Sequence, residues 1–289
     1  MHKKLGVLVV HGMGDQEADF ANKMIAELDE RLKKQHDIAP GQVAWKPVWW
    51  APVLAGEQAQ LLRDMRRDND LDQRKLRNFV VNALGDAVAY RKLSESNSSQ
   101  KGVYEEVHDI VRESMRALRA ATREGKPEDA PEAPLVVIAH SLGCHVMSNY
   151  IWDLQKDGAS SLGNDFEDMK TLSGLLTFGC NIPLFTLAHS QVEPICFPLD
   201  VSAYFPEGTS LNKLRAATRW RNYYDPDDIL GWPLKPLSAS YKKAVHEDVD
   251  INVGGFFSSW NPASHGQYWT DNSFTKPAAS ALAQLLKLL

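Results

Sequence analysis

The hydrophobic and polar positions along the chain predict short buried strands that alternate with amphipathic helices. Residues 5–10 and 135–139 are dense apolar runs rich in valine, as expected for strands that are buried on both faces of a parallel sheet. The segment after the second run has apolar residues at helical spacing, at Leu142, Val146, Met147, Tyr150, Ile151 and Leu154. A strand, a tight turn and a helix are therefore predicted around position 141.

The same criteria predict further elements on both sides of this segment. We expect helices at about 17–35 and 103–122. Further strands are expected at 42–50, 171–179, 220–224 and 248–253, and a last helix at 270–289. Pro47 cannot donate a ladder hydrogen bond, so the strand that contains it should lie at a sheet edge or contain a bulge.

The region from 52 to 131 has the least informative pattern. Helices with many charged residues are expected at 57–67 and 73–91, and a serine-rich loop at 94–100. We interpret 52–100 as a helical insertion within a single domain that spans 1–289, and as a candidate cap over a site. The alternative is that these helices pack beside the sheet and do not control access to a site.

Composition and charge narrow the class of protein. The chain has 289 residues, of which 44% are hydrophobic and 24% charged, as is typical of a soluble globular domain. The formal net charge is −5 and no basic stripe is present, so nucleic acid is not an expected partner. No stretch approaches the length of a transmembrane helix, and the apolar run after Lys3 and Lys4 is too short for a signal peptide.

The cysteine content bears on the cellular compartment. The three cysteines, Cys144, Cys180 and Cys196, cannot all pair with one another. This favours a reduced, cytoplasmic setting. Export by a route that reads no N-terminal signal remains the alternative. For Cys144, one helical turn after Ser141, we favour a packing role over a reactive one.

Ser141 lies at the sharp turn between the predicted strand and helix. Ala139 and Gly143, two residues before and two residues after it, are small, as a strained turn with a closely packed strand and helix requires. A serine at a helix N-terminus is also near backbone N–H groups that favour developing negative charge. These features indicate a nucleophile elbow, with Ala139 in place of the more usual glycine. The alternative is an ordinary strand-to-helix turn in a non-catalytic α/β protein.

With this elbow, the chain resembles the α/β-hydrolase superfamily, and more narrowly its lipase and esterase branch. The resemblance covers most of the chain and has least support between about 52 and 131. It implies an α/β-hydrolase fold, with a mostly parallel central sheet, helices on both faces and a helical insertion before the nucleophile strand. It also implies an enzyme of the serine hydrolase class that needs neither a metal nor an organic cofactor.

The loop after the first predicted strand reads His11-Gly12-Met13-Gly14. A glycine-rich loop can point a free backbone N–H group at a substrate oxygen, because it continues neither a sheet ladder nor a helix. By the resemblance, the backbone N–H groups of Met13 and Leu142 form the oxyanion hole. The alternative is a plain strand-to-helix turn that contains glycine.

The candidate triad acid follows the aromatic strand that begins at Trp220. The segment Asp-Ile-Leu at 228–230, with Pro233 and Leu234 after it, resembles a segment of fungal-type lipases in which the aspartate is the acid, and this alignment selects Asp228. Asp225, nearest the predicted strand end, is the backup acid, although a turn role is favoured for it. Glu193 and Asp200 are further candidates, because some hydrolases place the acid one strand earlier.

His265 is the candidate histidine. It lies after the last predicted strand and before the last helix, and the sequence His-x-x-Tyr-Trp around it resembles the histidine loop of lipases. His246 is the next candidate but precedes that strand. The chain order Ser141, Asp228, His265 is the order found in α/β hydrolases.

Together, the motifs predict a serine hydrolase that cleaves a small-molecule carboxylic ester through an acyl-enzyme. A thioesterase or an acyltransferase would use the same triad, and the fold alone does not separate these activities. An alternative from a different class is a hydrolase fold retained as a non-catalytic binding module.

Overall fold

The computed structural model describes residues 2–67, 72, 74–92, 102–156, 163–187, 191–254 and 264–289. Within them, six strands form one parallel sheet: β1 (Leu5–Val10), β2 (Val43–Val48), β3 (Leu135–His140), β4 (Leu172–Phe178), β5 (Arg219–Tyr224) and β6 (Glu247–Asp250). The described helices are α1 (Asn22–His36), α2 (Pro52–Arg67), α3 (Arg74–Ala89), α4 (Val103–Arg123), α5 (Leu142–Lys156), α6 (Ile182–Thr186), α7 (Leu211–Ala217), α8 (Ala239–Ala244) and α9 (Asn272–Leu286). Short 3-10 segments occupy Ser202–Tyr204, Lys235–Leu237 and Ser264–Thr270.

The strand order, β2-β1-β3-β4-β5-β6, creates a crevice beside the strand ends. The chain first moves outward from β1 to β2, then returns past β1 to β3 and continues in the other direction. At such a reversal the connections leave on opposite faces, which opens a binding crevice at the carboxyl ends of the strands. Val10 at the end of β1 pairs with Ala139 near the end of β3. The loops that follow β1 and β3 therefore begin side by side.

Helices cover both faces of this sheet, as expected for its buried strands. The buried side chains of α1, α7 and α9 form one apolar cluster with alternate strand residues such as Val7 and Val9. Those of α4, α5, α6 and α8 form a second cluster on the opposite face, together with Leu8 and Val10. The predicted fold class, a mostly parallel α/β sheet with helices on both faces, is confirmed.

The insertion is helical, as predicted, and packs near the face that carries α4. Helices α2 and α3 contact each other, and α2 also contacts α4. Most described side chains of both helices are partly or fully exposed, and Leu54 and Asp86 are the buried ones. The serine-rich loop expected at 94–100 lies outside the described residues. The role of 52–100 as a cap within one domain stays a prediction.

Three element bounds differ from the expected ones for local reasons. The first helix begins at Asn22 instead of 17, because the preceding residues form hydrogen-bonded turns, such as Phe20 N to Glu17 O. The last strand ends at Asp250, and Val253 instead donates its N–H to the Asp225 carboxylate. A 3-10 segment precedes the last helix, which Asp271 caps by accepting from Ser273 N.

The remaining strand prediction concerned Pro47. Its strand, β2, is the edge of the sheet, as predicted, and runs through Pro47 without interruption.

In the described part of the chain, no helix has the length and apolar character needed to cross a lipid bilayer.

Candidate active site

Ser141 occupies a strained turn between β3 and α5. Its φ angle is 52°, in the left-handed region that residues with a side chain rarely adopt. The Ser141 N–H donates to the carbonyl oxygen of Phe178 at 3.1 Å, and α5 begins at the next residue. The turn therefore places the Ser141 side chain at the carboxyl edge of the sheet, beside the N-terminus of a helix.

Two glycines permit the close packing of this turn. A Cβ added to Gly12 would lie 2.5 Å from the Ser141 Cβ, and one added to Gly143 would lie 2.4 Å from the carbonyl oxygen of His11. Neither position has room for a side chain. Gly143 was expected to be small, and the constraint on Gly12 ties the first loop directly to the serine.

The His265 side chain joins Ser141 and Asp228 in one chain of hydrogen bonds. His265 Nε2 lies 2.7 Å from Ser141 Oγ, and His265 Nδ1 lies 2.8 Å from Asp228 Oδ2. Because a carboxylate only accepts, Nδ1 carries the proton and donates it to Asp228, which leaves the Nε2 lone pair to accept from the Ser141 hydroxyl. This is the tautomer in which a histidine can take a proton from a serine.

Asp228 is held as a carboxylate by several donors. Burial alone would raise its pKa, but hydrogen bonds from the His265 imidazole, the Leu230 N–H and the Tyr268 hydroxyl outweigh this, and its pKa lies below the ordinary value. The Leu230 N–H bond is 3.0 Å long and the Tyr268 hydroxyl bond 2.9 Å. Gly231 has no space for a Cβ, which would lie 2.5 Å from Asp228 Oδ2.

Sequence reasoning missed the role of Tyr268, which was expected only as an aromatic residue near the histidine. Its hydroxyl donates to Asp228 and accepts from the Asp225 N–H at 2.9 Å. Burial and the Asp228 carboxylate raise the pKa of Tyr268, so the hydroxyl keeps its proton and remains a donor. The aromatic residue of the His-x-x-Tyr motif was the available signal.

His140 is the second residue that sequence reasoning missed. Its Nε2 lies 2.8 Å from the backbone carbonyl oxygen of His265, and the two rings lie 4.7 Å apart. Burial and the neighbouring imidazole of His265 lower the pKa of His140 well below its usual range. The ring is therefore neutral and its Nε2–H is the donor.

The other candidate acids and the second histidine lie elsewhere. Asp225 accepts from Asp227 N and from Val253 N, and so fixes the turn after β5. Glu193, Asp200 and His246 are exposed, and Asp200 accepts hydrogen bonds from its neighbour Ser202. In the described residues none of these four contacts the His265 ring through a hydrogen bond.

The loop after β1 is fixed by His11. Its Nε2 accepts from the Trp50 N–H at 3.0 Å, and its Nδ1 lies 2.7 Å from the Gly12 carbonyl oxygen. Burial lowers the pKa of His11 to about 4, so the ring is neutral and Nδ1–H donates to Gly12. His11 also stacks on Trp50, with ring centroids 4.8 Å apart.

The two predicted oxyanion donors flank the serine. Met13 follows Gly12, which touches Ser141, and Leu142 is the first residue of α5. Among the described residues, neither the Met13 N–H nor the Leu142 N–H pairs with an acceptor.

The site is enclosed by protein. Ser141 is 0%, Asp228 4% and His265 8% exposed. Cys144 is also buried, its Sγ donates to the Ala139 carbonyl oxygen at 3.1 Å, and burial raises the pKa of its thiol well above the usual value. These contacts support the packing role expected for Cys144.

Comparison with solved structures finds a similar chain. It is a provisionally assigned hydrolase of the alpha/beta superfamily from Xanthomonas campestris pv. campestris, with 14% identity over 98% of this chain and 99% of that chain, and a TM-score of 0.40. No protein-family model matches the chain, and no curated protein matches it. The fold assignment therefore rests on the chain's own strand order and helices. Its parallel sheet, covered by helices on both faces and with the turn at Ser141 after β3, has the arrangement of an α/β-hydrolase fold.

Proposed function

We propose that this chain is a serine hydrolase that cleaves carboxylic esters through an acyl-enzyme formed on Ser141. The observation that carries the proposal is the continuous path of hydrogen bonds from Ser141 Oγ through His265 to Asp228. A serine hydroxyl is a poor nucleophile near neutral pH and needs an adjacent base, and His265 is in the tautomer that can serve as one.

In the first half of the reaction, Ser141 Oγ attacks the carbonyl carbon of the ester while His265 Nε2 takes its proton. The Asp228 carboxylate stabilises the imidazolium that forms. The carbonyl oxygen becomes an oxyanion, which the N–H groups of Met13 and Leu142 bind. A well-aimed donor of this kind is worth roughly 3 kcal/mol in the transition state. His265 then returns the proton to the leaving alcohol, and the acyl group remains on Ser141.

In the second half, water replaces the alcohol. His265 takes a proton from the attacking water, the oxyanion forms again in the same place, and the proton passes to Ser141 Oγ as the acid leaves. Apart from the ester and the water, the groups that act in these steps are side chains and backbone N–H groups of the described residues. The positive φ of Ser141 agrees with the strain found in nucleophile elbows.

Two other activities use the same groups. A thioesterase would follow the same steps with a thiol as leaving group, and an acyltransferase would use an acceptor other than water. A non-catalytic binding module would also bury these residues, but would have no need for the tautomer that points a lone pair at Ser141.

The test is turnover of acyl esters and thioesters of graded chain length by the wild type and by Ser141→Ala. Ser148→Ala, on the same helix, is the matched control. We expect the wild type and Ser148→Ala to hydrolyse at least one ester and Ser141→Ala to be inactive, all three with the same circular dichroism spectrum. Turnover that persists in Ser141→Ala would contradict the proposal, as would a folded wild type that is inactive on every substrate. Faster turnover of the thioesters would favour the thioesterase.

A further inference from the structure

A buried carboxylate on the insertion contacts the loop that carries one predicted oxyanion donor. Asp86, on α3, accepts a hydrogen bond from the Gly14 N–H at 2.7 Å, across 72 residues of sequence. Asp86 is 3% exposed. This contact connects the helical insertion to the loop His11-Gly12-Met13-Gly14, which lies against the serine.

Both oxygens of this carboxylate are used. Asp86 Oδ1 accepts from Gln58 Nε2, on α2, at 2.6 Å, and Oδ2 accepts from Gly14. Burial raises the pKa of Asp86, and the two hydrogen bonds offset only part of this rise. A buried carboxylate is costly unless it is paired. The polar side chain at this position therefore points to a role in fixing its partners.

The Met13 side chain packs against the apolar cluster on the face that carries α4, and few described contacts hold the backbone on its C-terminal side. Gly12 is confined by contact with Ser141, and His11 is fixed by Trp50. Gly14 has a φ of 97° and no atom within 4 Å of an added Cβ, so nothing packs on the side where a Cβ would stand. Among the described residues, Asp86 is the acceptor that holds the N–H of the peptide group between Met13 and Gly14.

We infer that Asp86 is a positioning residue for the proposed hydrolase: by accepting from the Gly14 N–H, it aims the neighbouring Met13 N–H at the oxyanion. The inference rests on the proposed function. It assigns the insertion a part in catalysis that does not depend on opening or closing over the site. Through this one side chain, the helix pair α2–α3 orders the loop that contains Met13.

The expected kinetic effect follows from where the donor acts. An oxyanion donor binds the transition state more strongly than the ground state, so loss of its alignment lowers kcat and leaves KM nearly unchanged. Complete removal of one donor costs about 10²- to 10³-fold in kcat. A donor that remains but is poorly aimed should cost less, on the order of tenfold to a hundredfold.

Three variants separate positioning from simple support of the fold. Asp86→Ala removes the acceptor. Asp86→Asn keeps one oxygen for the Gly14 N–H, and its amide group can donate to Gln58 once the Gln58 amide rotates. Gln58→Leu is the matched control, because it removes the other hydrogen bond of Asp86 and leaves the contact with Gly14 in place.

The measurements are kcat and KM on the best ester, together with hydrogen exchange of the Gly14 amide. We expect Asp86→Ala to lower kcat at least tenfold with KM within about threefold, and to speed Gly14 exchange. Asp86→Asn should restore both, and Gln58→Leu should keep the wild-type kcat. A folded Asp86→Ala with wild-type kcat would overturn the inference, as would an equal loss in Gln58→Leu.

Failure of the proposed function would look different. In that case the wild type itself would turn over no ester, and the catalytic part of the inference would be overturned with it. The exchange rate of Gly14 would still show whether Asp86 fixes the loop, because it needs no activity.

Discussion

His140 donates a hydrogen bond from Nε2 to the backbone carbonyl oxygen of His265 at 2.8 Å, across 125 residues of sequence. His140 is the last residue of β3 and directly precedes Ser141. The end of one central strand therefore supports both the serine and the backbone of the histidine that contacts it. The relative position of these two side chains depends on this one hydrogen bond as well as on the packing around it.

Removal of this donor should slow catalysis. In His140→Leu the carbonyl oxygen of His265 loses its buried partner and the imidazole can shift, and a misplacement of about 1 Å can cost a hundredfold in rate. We expect kcat to fall about tenfold or more, and less in His140→Gln, which keeps a donor. Steady-state kinetics check this, with circular dichroism as the folding control. A folded His140→Leu with wild-type kcat would show that the hydrogen bond does not position His265.

Replacement by asparagine of the two buried aspartates after β5 should have different effects, on catalysis for Asp228 and on stability for Asp225. Asp228→Asn places an amide beside His265 Nδ1 and favours the wrong tautomer, so kcat should fall by roughly 10³ to 10⁴ with little change in fold. Asp225→Asn should mainly lower the free energy of unfolding, by about 1–2 kcal/mol, because its carboxylate accepts from the Asp227 and Val253 N–H groups.

Kinetics and urea unfolding of both variants distinguish these roles. If Asp225→Asn abolished activity while Asp228→Asn remained active, the acid would be Asp225 and not Asp228.

Features that are set by residues close together in the sequence could be predicted, and features that depend on contacts between distant residues could not. Strands β1 and β3 and the turn at Ser141 are specified by consecutive residues, so the fold and the position of Ser141 could be predicted from the sequence. His265 could be found from its place before the last helix. Asp228 and Asp225 lie in the same turn, and sequence reasoning ranked them by a resemblance and by the turn chemistry expected of Asp225. The structure places Asp228, and not Asp225, on the His265 ring.

The supporting residues could not be predicted in this way. His140, Tyr268 and Asp86 act through partners that are 125, 40 and 72 residues distant. Neither periodicity nor a short motif indicates which of many buried polar residues meet across such distances. The geometry of the loops at the carboxyl edge of the sheet determines these contacts.

Substitution of the two crowded glycines beside Ser141 should destabilise the protein and reduce its activity. In Gly12→Ala and Gly143→Ala the new Cβ would lie 2.5 Å from Ser141 Cβ and 2.4 Å from the His11 carbonyl oxygen, so the backbone must shift. We expect each to lower the free energy of unfolding by about 1–3 kcal/mol and to reduce activity sharply.

Gly56→Ala is the matched control for these two changes. Gly56 lies on α2 and has no neighbour within 4 Å of an added Cβ, so alanine should stabilise the helix by about 0.5–1 kcal/mol. Thermal and urea unfolding of the three variants provide the comparison. Wild-type stability and activity in Gly12→Ala would contradict the close contact with Ser141.

Buried histidines should make stability depend on pH. Burial lowers the pKa of His108 from 6.5 to about 4, and the Asp153 carboxylate 3.9 Å away only partly offsets this. Below pH 6.5 the unfolded chain binds a proton that the folded chain does not bind until about pH 4. The stability present above pH 6.5 is therefore lost as the pH falls through this window. At pH 5 the loss from this group is about 2 kcal/mol.

Urea unfolding at pH 7 and pH 5 tests whether stability falls with pH in this way. The wild type should lose about 2 kcal/mol more than His108→Gln between the two pH values. An equal loss in both proteins would mean that His108 does not take part in the pH dependence.

The most direct test of the central claim is covalent labelling by a fluorophosphonate, with the modified peptide identified by mass spectrometry. Such a probe reacts with a serine whose hydroxyl is activated by a neighbouring base. We expect the wild type to be modified on Ser141, His265→Gln to react at least a hundredfold more slowly, and Ser141→Ala to remain unmodified. Modification of a different residue, or a folded wild type that remains unlabelled, would contradict this claim.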